Sequence, residues 1–240
     1  MDKPKITTIV VIICIIILGL YAAGEVNYYS SKIAIEKNID SPVVNIPTIG
    51  IEEKINNVSL SQGVIHDAKS FTPTNGDVIL SGHRTLQGSP FLRLNELNNG
   101  DVITLEWPGI GEVNYTVINK TIVESTARIN TQSNGTHIYL ITCDPIGSTA
   151  HRLIIEGELS DVGPINDKII QNNPHESYAL IITTAFLVIG LIFSYFYPKD
   201  NRIYILAIVL IISAILFYFY LFPIDSNIIY EKILWLNGGM

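Results

Sequence analysis

Three uncharged apolar blocks bracket this chain and decide most of what it can become. Ile6 to Gly24, Tyr178 to Tyr197 and Ile203 to Phe222 contain no Asp, Glu, Lys or Arg. Each is about 20 residues long, enough to carry a helix through a hydrocarbon layer. Only Pro198-Lys199-Asp200-Asn201-Arg202 separates the second block from the third, a connection suited to a helical hairpin. About 150 residues remain between the first and second blocks, the size of one globular domain.

Lysine and arginine beside short loops stay on the cytoplasmic side. Lys3 and Lys5 precede the first block, and Lys199 and Arg202 flank the hairpin turn. Both clusters can be inside only if the domain and the C-terminal tail are outside. The expected organisation is a cytoplasmic N-terminus 1–5, a transmembrane helix 6–24, a stalk 25–41, a domain 42–162 and a linker 163–177. Transmembrane helices 178–197 and 203–222 follow, joined by a cytoplasmic loop 198–202 and ended by an extracytoplasmic tail 223–240. This is a multi-pass protein of the cell membrane with its domain extracytoplasmic. The alternative for the first block is a cleaved signal peptide ending near Ala22-Ala23-Gly24, with the hairpin as anchor. The domain is exported in either case.

That domain is acidic. From Glu25 to Glu176 there are 18 Asp and Glu against 10 Lys and Arg, a balance of −8. Nucleic acid, which wants a basic face, is excluded as a partner. The chain has two cysteines, and one of them, Cys14, lies in the first apolar block. Cys143 is therefore alone in the domain and cannot form an intradomain disulfide. A lone thiol kept outside the cell calls for a chemical explanation.

Within the domain, short apolar runs alternate with Gly, Asn, Asp and Pro. Val43 to Ile46, Val78 to Leu80, Val102 to Trp107, Val113 to Ile118, His137 to Thr142 and Leu153 to Leu159 read as strands. Pro108-Gly109-Ile110-Gly111 makes the third and fourth of these a hairpin. Phe91 to Leu97 is the one short helical stretch. Many short strands with little helix point to a mostly β domain, a closed barrel or a sandwich.

Cys143 ends the run Tyr139-Leu140-Ile141-Thr142, and Pro145 stops pairing just beyond it. The sulfur is thereby left at a rim. If the flanking runs pair, Cys143 stands opposite Arg152 and Ile141 opposite Ile154. His83 ends another run, in Ser81-Gly82-His83-Arg84. A thiol, an imidazole and a guanidinium at strand ends are the parts of an acyl-transfer site: the thiolate is the nucleophile, and a nearby cation favours it. Strand alternation turns His151 away from Arg152, and His137 and His175 read as solvated. A metal site from His83, Cys143 and His151 matches no zinc spacing. Neither a metal nor a cofactor is expected.

At these residues the chain resembles the sortases, membrane-anchored cysteine transpeptidases. The shared residues are Ile46-Pro47-Thr48-Ile49-Gly50-Ile51, Gly76-Asp77-Val78-Ile79-Leu80-Ser81-Gly82-His83-Arg84, then Phe91, Leu94, Leu97 and Gly100-Asp101. Leu140-Ile141-Thr142-Cys143-Asp144-Pro145 and His151-Arg152-Leu153 complete them. The resemblance implies an eight-stranded β-barrel with short helices, added to three transmembrane helices. It implies that Cys143 attacks the threonine carbonyl of a motif similar to Leu-Pro-x-Thr-Gly in a secreted protein. His83 would shuttle the proton and Arg152 would hold the oxyanion. Thr142, Asp144 and Arg84 are candidate substrate-binding residues. The acyl group would pass to an amine on the cell envelope or to a pilin lysine, with hydrolysis as a side reaction.

The spacing from Cys143 to Arg152 is similar to the pilus-building class, within a broader C-, D- or E-like group. The chain departs from that class in two ways. No Asp-Pro-aromatic lid element stands between the first block and Pro42, and two C-terminal spans replace one. Surface-protein anchoring and pilin polymerisation both remain open. So do two other uses of the same barrel, a catalytically silent surface receptor and a hydrolytic cysteine protease.

Overall fold

The computed structural model describes residues 6–36, 41–85, 87–127 and 129–233. Lys3 and Lys5, part of the stalk and the end of the tail lie outside the described residues. The chain forms two compact units, one from its helical ends and one from the residues between.

The helices, in chain order, are α1 (Ile6–Glu36), α2 (Asp167–Gln171), α3 (Tyr178–Phe196), α4 (Arg202–Leu221) and α5 (Ser226–Ile233). In the helical unit, α1, α3 and α4 are long and apolar enough to cross a membrane. Helix α1 runs without a break past Gly24 and through the first half of the expected stalk. Its far half packs on the hairpin, with Val26, Tyr28 and Tyr29 clustered against Ala179, Ile212 and Leu216. Small residues let helix backbones approach closely. Gly190 does this for the hairpin, since a Cβ there would meet Val209 Cγ1 at 2.5 Å. Asn27 adds a two-point clamp, donating to Ile224 O at 3.0 Å and accepting from Ile224 N at 2.8 Å. His175, expected to be solvated, instead packs against Tyr29 in a tilted contact and Tyr178 edge-on, with ring centroids 5.7 and 4.8 Å away.

The second unit is a closed eight-stranded barrel. Its strands are β1 (Val43–Ile46), β2 (Ile51–Asn56), β3 (Val64–His66), β4 (Val78–Ser81), β5 (Val102–Trp107), β6 (Gly111–Glu124), β7 (His137–Asp144) and β8 (His151–Gly163). The order around the barrel is β1-β2-β3-β4-β7-β8-β6-β5. Closure leaves no strand edge to recruit another chain.

Alternation builds the interior. Val78 and Leu80 of β4, Ile138 and Leu140 of β7, and Leu153 and Ile155 of β8 point inward and are at most 2% exposed. Phe91, Leu94 and Leu97 plug the same core, but from a turn and a 3-10 helix at Leu94–Glu96 instead of the helix expected over this stretch. Fully burying such side chains contributes about 1.5–3 kcal/mol each. The alternate residues, Ile79, Tyr139, Ile141, Cys143, Arg152 and Ile154, therefore belong to the outer face of the barrel.

Candidate active site

Three neighbouring strands bring the predicted residues together. Strand β4 runs parallel to β7, with Ser81 level with Ile141. His83 and Cys143 each lie two residues beyond that pair, on the same parity. Strand β7 runs antiparallel to β8, and Cys143 faces Arg152 directly, as Ile141 faces Ile154. Neighbouring strands are about 4.8 Å apart, so Cys143 and Arg152 lie side by side, while His83 follows two residues past the end of β4. The ladder closes one pair later, at Asp144 and His151, just before Pro145.

His83 is 7% exposed. Burial disfavours the imidazolium and pulls its pKa down from 6.5 to about 4. At neutral pH the ring is an uncharged base. Arg152 places a permanent positive charge across the ladder from Cys143. Its Nη1 donates to Thr149 O and to His151 O, each at 3.0 Å. These bonds curl the β7–β8 turn around the guanidinium. Cys143 is a free, half-buried thiol. His151 turns to the other side, where its Nε2 lies 3.5 Å from Glu124 Oε1.

A cleft of about 510 Å³ opens on the same outer face. Ile79, Ile141 and Ile154 floor it, Arg152 stands at its edge, and Ile129 and Thr131 of the β6–β7 connection wall it. Cys143 and His83 are not among its lining residues. Cys143 lies two residues beyond Ile141 along β7, so an extended peptide in the cleft would lead toward the thiol.

Thr142, Asp144 and Arg84 are turned to the protein itself. Thr142 is 3% exposed and donates to Gly82 O at 2.8 Å. Arg84 is 5% exposed and pairs with Asp144 Oδ1 at 2.6 Å. Two further residues shape the site without having been singled out from sequence. Asn95 accepts from Arg84 Nη2 at 2.7 Å. Asp77 accepts from Gln132 N at 2.9 Å and from His137 N at 3.0 Å, which fastens the cleft wall to the start of β4. Asp77 stood inside the matched Gly76-Asp77 run, but nothing in the sequence joined it to a loop 55 residues away. Among the described residues no group of three or more His, Cys, Asp or Glu side chains could hold a metal ion.

A family model, the sortase domain, matches residues 34–160, just over half of the chain. Comparison with curated proteins gives no match. Among solved structures, the chain is similar to sortase C-1 from Actinomyces oris, with 29% identity over 50% of this chain and 73% of that one, at a TM-score of 0.46. It is similar to a lid mutant of sortase A from Corynebacterium diphtheriae, with 26% identity over 52% and 73% of the two chains, at 0.47. It is also similar to sortase C from Clostridium perfringens, solved with its C-terminal cell wall sorting motif, with 25% identity over 50% and 70%, at 0.44. The family match and the closed eight-stranded barrel together identify this chain as a member of the sortase family of cysteine transpeptidases.

Proposed function

We propose that this protein is a membrane-anchored transpeptidase in which Cys143, His83 and Arg152 act on one peptide carbonyl. The observation that carries the reading is the strand register. It puts Cys143 opposite Arg152, with His83 two residues past the end of the parallel neighbour, near a cleft floored by Ile79, Ile141 and Ile154.

The buried, neutral imidazole accepts the proton of the Cys143 thiol as sulfur attacks a threonine carbonyl. Negative charge grows on the carbonyl oxygen, and the Arg152 guanidinium stabilises it. The carbon–nitrogen bond breaks, and the departing amine takes the proton that His83 holds. An incoming amine then attacks the thioester, gives its proton to His83 and releases the Cys143 thiolate. Water in place of the amine gives hydrolysis. Ile79, Ile141 and Ile154 suit the aliphatic part of a motif similar to Leu-Pro-x-Thr-Gly. Anchoring of surface proteins and polymerisation of pilins use this same chemistry and differ only in the acceptor amine.

The cation placement on the chain supports three membrane passes with the barrel extracytoplasmic. The test uses full-length protein in lipid nanodiscs, a panel of fluorescent sorting-motif peptides and a small amine. A Cys143-linked acyl adduct that resolves into an amide is the expected result. Absence of cleavage and adduct across the panel overturns the reading in favour of a silent receptor. Product with water alone, at any amine concentration, overturns it in favour of a protease.

A further inference from the structure

Strand β4 stops at Ser81, two residues short of His83, and its ladder to β7 stops with it. The chain nevertheless stays attached to β7. Gly82 N donates to Ile141 O at 3.1 Å, and Thr142 Oγ1 then donates to Gly82 O at 2.8 Å. Beyond that point the Arg84 side chain takes over from the backbone. Its Nη1 donates to Asp144 Oδ1 at 2.6 Å and to Cys143 O at 3.3 Å. Its Nη2 donates to Asn95 Oδ1 at 2.7 Å and its Nε to Leu92 O at 3.3 Å.

All three nitrogens of this guanidinium are engaged, and it is 5% exposed. Two of its acceptors belong to Cys143 and to the residue after it. The other two belong to the segment that returns past His83, where Phe91 N donates to His83 O at 3.0 Å. A planar fork with fixed donor directions can tie four acceptors at once, which a lysine ammonium cannot reproduce. A charge-assisted bond at 2.6 Å is at the strong end of such contacts. The residues on either side of this tie are the base and the nucleophile.

We propose that Arg84 is a positioning residue that, with Asp144 as its anchor, clamps the backbone of His83 to that of Cys143 and so sets the imidazole against the thiol without touching substrate. The inference rests on the reading of His83 and Cys143 as the reacting pair. A displacement of about 1 Å between reacting groups costs about 100-fold in rate, so a strut of this kind acts on turnover more than on binding.

The test uses the full-length protein in nanodiscs, with Arg84→Lys and Asp144→Asn set beside wild type and His83→Ala. Peptide cleavage gives kcat and KM separately. Iodoacetamide alkylation of Cys143, mapped by mass against Cys14 and followed from about pH 4 to about pH 9, reads the imidazole–thiol relationship without any substrate. We expect kcat to fall about 10- to 100-fold with KM within about 2-fold, because the misplaced pair loses only transition-state stabilisation. We expect the alkylation profile to move toward that of His83→Ala. If Arg84→Lys does not fold, Asp144→Asn, which keeps an acceptor for Nη1, carries the test.

A raised KM at constant kcat would make Arg84 a substrate contact and overturn the proposal. A lowered melting temperature with an unchanged alkylation profile would make it merely structural, and the proposal would fall as well. Identical profiles for wild type and His83→Ala would show no imidazole–thiol coupling to position, and also overturn it. If wild type cleaves no peptide, the transpeptidase reading fails by itself, and the alkylation profiles still decide the role of Arg84.

Discussion

Cys143 and Arg152 are partners across the antiparallel β7–β8 ladder, so sulfur and guanidinium leave the same face of the sheet side by side. Directly opposed side chains in such a ladder have Cβ atoms about 5 Å apart. The thiol and a permanent cation are thus held by backbone hydrogen bonds. Arg152 spends Nη1 on Thr149 and His151, while Nη2 and Nε donate to none of the described residues.

Arg152→Lys keeps the charge at this position and loses the fork. A lysine has one ammonium to share between the turn carbonyls and the oxyanion. Removing one oxyanion donor elsewhere costs about 100- to 1,000-fold in turnover, and that is the loss expected here. Single-turnover acylation of Cys143 by a motif peptide is the measurement. A variant that acylates at the wild-type rate would show that charge alone suffices.

The pairing of Cys143 with Arg152 was legible because both residues sit where pairing rules are strict. Pro145 announced the end of β7, and a hairpin that set Cys143 opposite Arg152 also set Ile141 opposite Ile154, the register observed. The placement of His83 was not legible. Its strand is parallel to β7, and the two are separated by β5 and β6, which pass to the other side of the barrel. No short-range pattern encodes that crossover. The missed strands have local causes. In β2, Glu53 stands between Ile51 and Ile55 on the inward parity, so the apolar alternation is broken. Strand β3 has only three residues. Strand β6 runs well past its expected end because Lys120 to Glu124 pair with His151 to Ile155, and β8 runs past Leu159 because Asp161 to Gly163 pair with Glu112 to Asn114.

Burial of His83 predicts an acid-sensitive fold. Its folded pKa, about 4, is depressed below the 6.5 of an exposed imidazole. Between those values the unfolded chain binds a proton that the folded chain refuses. Stability is therefore complete above about pH 6.5 and lost as pH falls toward 4, with a ceiling of about 3 kcal/mol. His83→Asn has no such titration. Denaturation midpoints of the two proteins, followed by near-UV circular dichroism, should converge as pH drops through this window. Parallel curves would show that burial does not depress this imidazole.

The cleft wall depends on Asp77. Its carboxylate, 2% exposed, holds Gln132 N and His137 N on either side of the β6–β7 connection's last turn. Asp77→Ala leaves both donors without their acceptor, at about 1–3 kcal/mol each. The wall carrying Ile129 and Thr131 should loosen, raising KM for a motif peptide about 10-fold while kcat changes less. Gly135→Ala should do the same from the other side, because its Cβ would fall 1.8 Å from Asp77 Oδ1. Hydrogen exchange over residues 129–136 checks the cause. Unchanged protection in both variants would detach KM from this latch.

Glu106 stands away from the reacting groups and tests the electrostatics of the barrel wall. It is fully buried on β5, faces Glu112 across the β5–β6 ladder and accepts from Asn166 N at 2.9 Å. Burial raises its pKa, and Glu112 and Asp167 raise it further against the opposing bond from Asn166. A carboxyl whose folded pKa lies above its unfolded value gives its full stability at low pH and loses it as pH rises through the folded pKa. Glu106→Gln keeps the acceptor for Asn166 N and removes the charge at every pH. The variant should match wild type near pH 4 and exceed it by up to about 1 kcal/mol at about pH 8, the scale of a like-charge pair across a ladder. Thermal unfolding of both proteins at the two pH values measures this. A variant less stable than wild type at the higher pH would mean that the Glu106 carboxylate is held as an anion.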